Sequence, residues 1–426
     1  MRIAIIGTGI AGNVAAYHLQ ADHDITVYEQ NAHIGGHTHT HSVPYEDQSY
    51  QIDTGFIVLN DRTYPNFNRL LSELDVSSQP TEMSFSVKCE RSGLEYNGNN
   101  LNTLFAQRSN LISPSFHRMI RDILRFNREG HTYLGSDSAD VSLGSYLAKG
   151  QYSQQFIEQY IVPMGAAIWS AEPTQMFDFP ARFFMRFFAN HGLLSVNDRP
   201  QWSVINGGSQ RYVEKLVAGF KDRIRVNCPV RQLRRFHDHV EVISDEYGVE
   251  RYDYVFIASH SDEALSMLSK PSVLEKKVLS AIPYQENEAV LHTDDRILPK
   301  RKLAWASWNY HIPPAAQDRV ALTYNMNILQ GLEAEQTYCV TLNYSDHIDD
   351  SKIIKTVNYH HPVFTPEGIR AQSMHREING AERTYYCGAY WRNGFHEDGV
   401  VSALNAIEHF KQDRANDEEL HLRRAS

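Results

Sequence analysis

The 426-residue sequence predicts an α/β fold in which a parallel-sheet domain is interleaved along the chain with a discontinuous mixed α+β domain. Three observations predict it. The chain opens as an apolar strand, a glycine-rich turn and an apolar-faced helix, "RIAIIGTGIAGNVAAYHL" at residues 2–19. The same texture returns twice, in "WSVINGGSQRYVEKLVAGF" through "YVFIAS" and in "TYYCGAYWRNGFHEDGVVSALNAIEHF". Between these returns the βαβ rhythm stops, first for helix-periodic segments and then for strand-rich ones. The expected boundaries are residues 1–75, 203–275 and 380–412 for the first domain. Residues 76–202 and 276–379 make the second, and 413–426 form a charged tail.

The opening unit carries the chemistry. Gly7, Gly9 and Gly12 form G-x-G-x-x-G between the first strand and the helix. Gly7 permits the tight turn, Gly9 lets the backbone approach a pyrophosphate, and Gly12 lets helix and strand pack closely. Free N–H groups and the helix dipole then favour the phosphate charge. The second strand, "DITVYEQ", ends in Glu29, whose carboxylate can accept ribose hydroxyls. The unit is thus of Rossmann type. Gly35 and Gly36 follow as a second close-approach turn, and "QIDTGFIVLN" reads as a third apolar strand carrying Gly55 and Phe56. Two glycine-rich contacts in quick succession suit a long, two-part cofactor such as FAD.

In the middle of the chain, "IRVNCPVRQL" reads as one short strand, and "HVEVISDEYGVERYDYVFIAS" as a hairpin followed by a buried strand. The closing motif reads as a strand, Gly388, a loop, Asp398-Gly399, and a helix with Val400, Val401, Leu404 and Ile407 on its apolar face. That helix start offers free N–H groups. In the second domain "FHRMIRDILRFNREG" and "SQQFIEQYIVPMGAAIWSA" have helical spacing. "FPARFFMRFFANHGLL" is unusually aromatic. Trp169 with Phe183, Phe184, Phe187 and Phe188 could line an apolar tunnel or fill a helix core. The strands "NEAVLHTD", "LAWASWNY", "RVALTYNMNILQ" and "YCVTLNY" suit a sheet roofing the site.

Composition narrows the partners. A net charge of −10 argues against a nucleic acid or an anionic membrane as main partner. Cys89, Cys228, Cys339 and Cys387 show no CxxC spacing, so a reduced cytoplasm is the expected compartment. With the first strand beginning at Arg2 no leader is expected, and no run of 18 apolar residues forms a transmembrane segment. Peripheral membrane contact stays open. His37, His39 and His41 alternate and would share one face of a strand. They fall where the cofactor belongs, so no metal is expected.

These motifs resemble the flavin amine oxidase superfamily, which includes monoamine and polyamine oxidases, protoporphyrinogen oxidase and phytoene desaturases. The resemblance implies an FAD-binding domain with an amine oxidase or phytoene desaturase-like substrate domain. It implies that Gly7, Gly9, Gly12, Glu29, Gly35 and Gly36 hold FAD, and that the backbone of Val230 meets the adenine. His37 stands where many members have Arg, and Gly388-Ala389 where many have Gly-Asp. The helix from Gly399 and Val400 would point at the flavin pyrimidine. The stretches "GGHTHT", "DTGFIVLNDRTYPNF", "PMGAAIWSA", "FFANHGLL", "WASWNY" and "GFHEDG" are similar to bacterial flavoproteins associated with cyclopropane-fatty-acid synthase-type lipid methyltransferases. This implies a lipid methyltransferase partner and dehydrogenation of a hydrophobic substrate, a methylated acyl chain of a phospholipid. Two alternatives are an amine oxidase and a non-catalytic flavoprotein partner. The amine alternative often brings a lysine near the flavin; here Lys300 and Lys302 sit in a charged loop. His37, Tyr390, Trp391 and His396 are the catalytic candidates, with His360 and His361 behind them, and Trp169, Phe184 and Phe187 are the substrate candidates.

Overall fold

The computed structural model describes every residue except 138, 316, 317 and 426, and describes the backbone alone at 418–425. A five-stranded parallel sheet runs in the order Ile224–Arg225, Asp24–Tyr28, Arg2–Ile6, Tyr254–Ile257, Thr384–Tyr386. Its central strands are apolar at successive positions because both faces are covered. Ile3, Ile5 and Phe256 enter one core with the helices Ile10–Leu19, Gln210–Val217 and His396–Ala425. Ala4, Ile6, Val255 and Ile257 enter another, beneath the antiparallel sheet Val230–Arg235, Val240–Ser244, Gly248–Tyr252. The opening helix lies close to its strand because position 12 has no side chain: a Cβ at Gly12 would stand 2.0 Å from the Gly7 carbonyl oxygen.

A seven-stranded sheet forms the other half. Its order is Ile353–Pro362, Tyr284–His292, Cys339–Leu342, Ala321–Asn325, Trp308–Ile312, Phe85–Cys89, Leu94–Asn97. The helices Pro114–Leu134, Val162–Trp169 and Ala181–Asn190 pack with its strands in the largest apolar core. The strand Phe85–Cys89 thus pairs with Trp308–Ile312, more than 200 positions later.

Four local expectations are corrected. "QIDTGFIVLN" is two strands outside the parallel sheet: Gln48–Asp53 pairs with Thr40–Tyr45, and Val58–Asn60 with Trp202–Ile205. The break falls at Gly55, where a Cβ would lie 2.0 Å from the His37 carbonyl oxygen. Phe56 N–H donates to that same oxygen at 2.7 Å. "IRVNCPVRQL" is also two strands, divided where Asn227 takes a left-handed φ of 52° ahead of Pro229. Trp202–Ile205 is the middle of a small antiparallel sheet rather than a parallel strand. The closing helix begins at His396, not at Gly399, and runs on through Ala425. The charged tail is its continuation, anchored at Asp413, which accepts from the Tyr385 hydroxyl at 3.0 Å.

Candidate cofactor and substrate cavity

A cavity of about 1420 Å³ opens at the carboxyl ends of the parallel strands and reaches the helical layer. This is where ligands bind in open α/β sheets. At the sheet end it is lined by Gly7, Gly9, Glu29, Gly35, Gly36 and Val230. A Cβ at Gly9 would meet nothing within 4 Å, so the space beside it is free for a ligand. On its other side the chain is tight: a Cβ at Gly36 would come within 2.9 Å of Gly9 Cα.

Glu29 is buried and held in place. One carboxylate oxygen accepts from the Thr8 backbone N–H at 3.0 Å and hydroxyl at 2.5 Å. The other accepts from the Asn31 backbone and side-chain N–H groups at 2.9 and 3.0 Å. This cradle fits a dinucleotide: glycine backbone that leaves room for close approach and a fixed carboxylate at the next strand end. Removing that carboxylate, Glu29→Ala, is expected to weaken FAD binding by roughly 1.5–3 kcal/mol, the worth of charge-assisted bonds. Titration of apoprotein with FAD by flavin fluorescence measures it. An unchanged Kd would place the ribose elsewhere.

Imidazoles gather in the middle of the cavity. His37 Nε2 donates to the His360 carbonyl at 3.1 Å, and its ring stacks on Tyr359 at 5.0 Å. His361 lies 5.3 Å and His260 6.2 Å from that ring, and His260 stacks on Tyr284 at 4.2 Å. Burial and the neighbouring imidazoles push His37 and His260 down to about 4 and His361 to about 3, so all three are neutral at neutral pH. His39 and His41 do share a face at 4.1 Å, but His37 precedes the strand Thr40–Tyr45 and turns to this group instead.

The His361 geometry gives a pH test. Asn343 donates to the Asn287 oxygen at 2.8 Å, and Asn287 in turn donates to His361 Nδ1 at 2.9 Å. A protonated ring could not accept that bond. Below about pH 6.5 the unfolded chain takes up a proton that the folded chain refuses, so stability falls as pH falls toward 3. Asp398, which burial pushes up to about 6, works in the opposite sense. Comparison with a variant isolates the histidine: the loss of Tm between pH 7 and pH 5 should be smaller in His361→Asn than in the unaltered protein. Equal losses would mean the ring protonates freely when folded.

His396 also lines the cavity. Its ring stacks on Phe56 at 3.7 Å and shares a 2.6 Å hydrogen bond with the Tyr212 hydroxyl, which bonds Thr38 Oγ1 at 2.6 Å. Burial holds this imidazole well below its usual range. Gly55, Phe56, Gly388 and Tyr390 are further lining residues. Trp169 and Phe187 line the cavity where it reaches the helices.

Other candidates lie off it. Phe184 is fully buried and stacks on Phe188 at 4.2 Å, because its side of the helix Ala181–Asn190 faces the core. Trp391 is buried against His375 at 4.1 Å. Gly12 is a packing glycine. Gly399 is another: a Cβ there would meet Ile10 Cγ2 at 2.5 Å. Val400 joins the core around the opening helix. With the helix starting three residues early, Asn393, Gly394, Phe395 and His396 take the cavity wall in place of Gly399 and Val400. Thr8, His260, Tyr284 and Tyr359 were not singled out in the sequence. His260 had a signal, since it closely follows the buried strand Tyr254–Ile257 at the sheet's ligand edge.

A glycine turn, a fixed acidic strand end and one long cavity joining them to a second domain define an FAD-dependent oxidoreductase. Residues 10–307 match the family described as flavin containing amine oxidoreductase, and the chain belongs to that family. An L-amino-acid oxidase from Siganus canaliculatus is 22% identical over 329 residues, 68% of this chain and 56% of that one. The chain thus spans little more than half the length of that curated relative. Among solved structures, a protein provisionally assigned as a protoporphyrinogen oxidase from Exiguobacterium sp. 255-15 matches with TM-score 0.70 at 16% identity, over 97% of this chain and 99% of that one. Cyclohexylamine oxidase from Brevibacterium oxydans IH-35A matches with TM-score 0.69 at 13% identity, over 96% and 99%. A conjugated-linoleic-acid-producing fatty acid isomerase from P. acnes matches with TM-score 0.63 at 15% identity, over 96% and 98%. At these identities the likeness is one of fold.

Proposed function

We propose that the protein dehydrogenates a hydrophobic substrate, a fatty acyl chain carried on a phospholipid and bearing a methyl branch. One observation carries this reading: the same cavity is walled, on the helices Leu101–Leu104, Pro114–Leu134 and Val162–Trp169, by Leu104, Ile120, Ile123, Met164 and Ile168, an apolar stretch that forms its arm. Each CH₂ buried there contributes roughly 0.8 kcal/mol. When bound, FAD supplies the acceptor for a hydride, and the second hydrogen leaves as a proton. The chain's own part is placement of the reacting carbon and exclusion of water. Gly7, Gly9, Glu29, Gly35, Gly36 and Val230 would hold the nucleotide. His37, Tyr390 and His396 would face the flavin.

Oxidation of a small amine is the second reading, favoured by the family and by the cyclohexylamine oxidase fold. The carboxylates on the cavity wall speak against it. Glu29 and Glu263 belong to the sheet end and Glu82 is exposed, so an ammonium in the arm would lack a buried carboxylate partner. The fatty acid isomerase fold supports the acyl reading, and a lipid methyltransferase would be the supplier of the branch. Anaerobic mixing of the holoprotein with methylated phospholipids and, separately, with amines tests both. Bleaching of the flavin by the phospholipid alone is expected. Bleaching by amines alone would replace this reading with the second.

A further inference from the structure

We propose that the mouth of the apolar arm docks on an anionic phospholipid bilayer through a basic helix face and an apolar wedge. The docking serves the acyl-chain reading and rests on it for its purpose. Three large apolar residues line the cavity and yet are open to solvent: Leu101 at 75%, Leu124 at 51% and Val196 at 61% exposure. Leu101 shares its helix with Leu104, and Leu124 shares its helix with Ile120 and Ile123, so these two carry the arm's wall out to the surface. The turn Arg108–Ile112 leads into the helix Pro114–Leu134 and is tied to the helix Leu101–Leu104 by Arg108, which donates to the Asn102 side-chain oxygen at 2.7 Å; it exposes Leu111 at 52% and Ile112 at 86%. Exposed apolar side chains clustered at a cavity mouth are a binding surface rather than scatter.

The charge of this region decides the partner. Residues 101–134 carry Arg108, Arg118, Arg121, Arg125 and Arg128 against Asp122 and Glu129, in a chain whose net charge is −10. Asp122 pairs with Arg125 at 3.2 Å, and Glu129 accepts from the Tyr152 hydroxyl at 2.6 Å. Arg118, Arg121 and Arg128 are exposed. On the helix Pro114–Leu134, positions 117, 121, 124 and 128 recur at helical spacing, so His117, Arg121 and Arg128 share the exposed face with Leu124 at the mouth. A basic amphipathic helix beside an apolar opening is complementary to anionic headgroups over acyl chains. The overall negative charge, which argued against such a surface, is therefore misleading: the positive charge is local.

The holoprotein is to be sedimented with vesicles of phosphatidylglycerol and phosphatidylethanolamine, and with pure phosphatidylcholine. Binding to the first, release by salt and weak binding to the second are expected. Arg121→Gln with Arg128→Gln should weaken binding roughly fivefold for each charge removed. Ile112→Glu should abolish it while leaving FAD bound, whereas Val273→Glu should not, although Val273 is equally exposed at 87% on a distant helix. No binding to the anionic vesicles, equal binding to phosphatidylcholine, or equal behaviour of Ile112→Glu and Val273→Glu would overturn the proposal. Detergent-dispersed phospholipid separates the two ideas. If it bleaches the flavin while vesicles are not bound, the docking surface fails and the acyl reading stands. Vesicle binding without bleaching by any lipid leaves the surface standing and removes the acyl reading.

Discussion

Gly9→Val is expected to give a folded, colourless protein. The backbone at Gly9 is extended, with φ −64° and ψ 177°, a conformation valine adopts readily. The position of its Cβ is free of protein atoms to 4 Å. The chain therefore leaves the Cβ of a side chain at this position unopposed, and a ligand in that space would oppose it. The added side chain stands in the approach path of the pyrophosphate, and FAD should be lost on purification. Gly12→Ala is the contrasting variant. Its methyl would fall 2.0 Å from the Gly7 carbonyl oxygen, so it should cost stability and soluble yield rather than cofactor alone. Visible flavin absorbance and far-ultraviolet circular dichroism read the two effects. A Gly9→Val protein that keeps a full complement of FAD would remove the pyrophosphate from this turn.

What could be read from the sequence was what depends on neighbours in the chain. The strand, glycine turn and helix at residues 2–19 interact within one supersecondary unit, so spacing alone identified them and the fixed position of Glu29. The exposed and buried sides of the aromatic helix were less legible. Phe187 lines the cavity while Phe184, on the same helix, is core, and only the packing of Phe188 and Phe126 against Phe184 decides which is which. That the imidazoles of His37, His260 and His361 come together was illegible for a different reason. His37, His260 and His361 are separated by more than 200 and 100 residues, and no local pattern reports that the strand Ile353–Pro362 ends beside the glycine turn. The closing helix was misplaced by three residues because Glu397 and Asp398 lie in its first turn. The Asp398 carboxylate, in the first turn, accepts from the Phe395 N–H at 2.9 Å, so Phe395 stands at the N-cap and His396 leads the helix.

Ile123→Asp is expected to abolish reduction of the flavin by phospholipid while FAD stays bound. Ile123 lies on the helix Pro114–Leu134 and forms part of the wall of the arm, and it is only partly buried. The helix can therefore carry an aspartate there without burying it fully. An acyl chain entering the arm would have to pass that carboxylate and strip its water. Such desolvation without a partner costs several kcal/mol, so the rate at limiting substrate should fall by roughly 100-fold or more. Phe184→Asp would be the wrong test, since Phe184 is 0% exposed and the variant should fail to fold. Anaerobic stopped-flow of the Ile123→Asp holoprotein with methylated phospholipid, and with small amines as a second arm, makes the comparison. An aliphatic wall that serves only packing would lower Tm and leave the reduction rate intact. A substrate wall leaves the flavin yellow in the presence of lipid. If instead amines reduce the unaltered protein rapidly and the aspartate does not slow them, the arm is not the route to the flavin and the substrate is an amine.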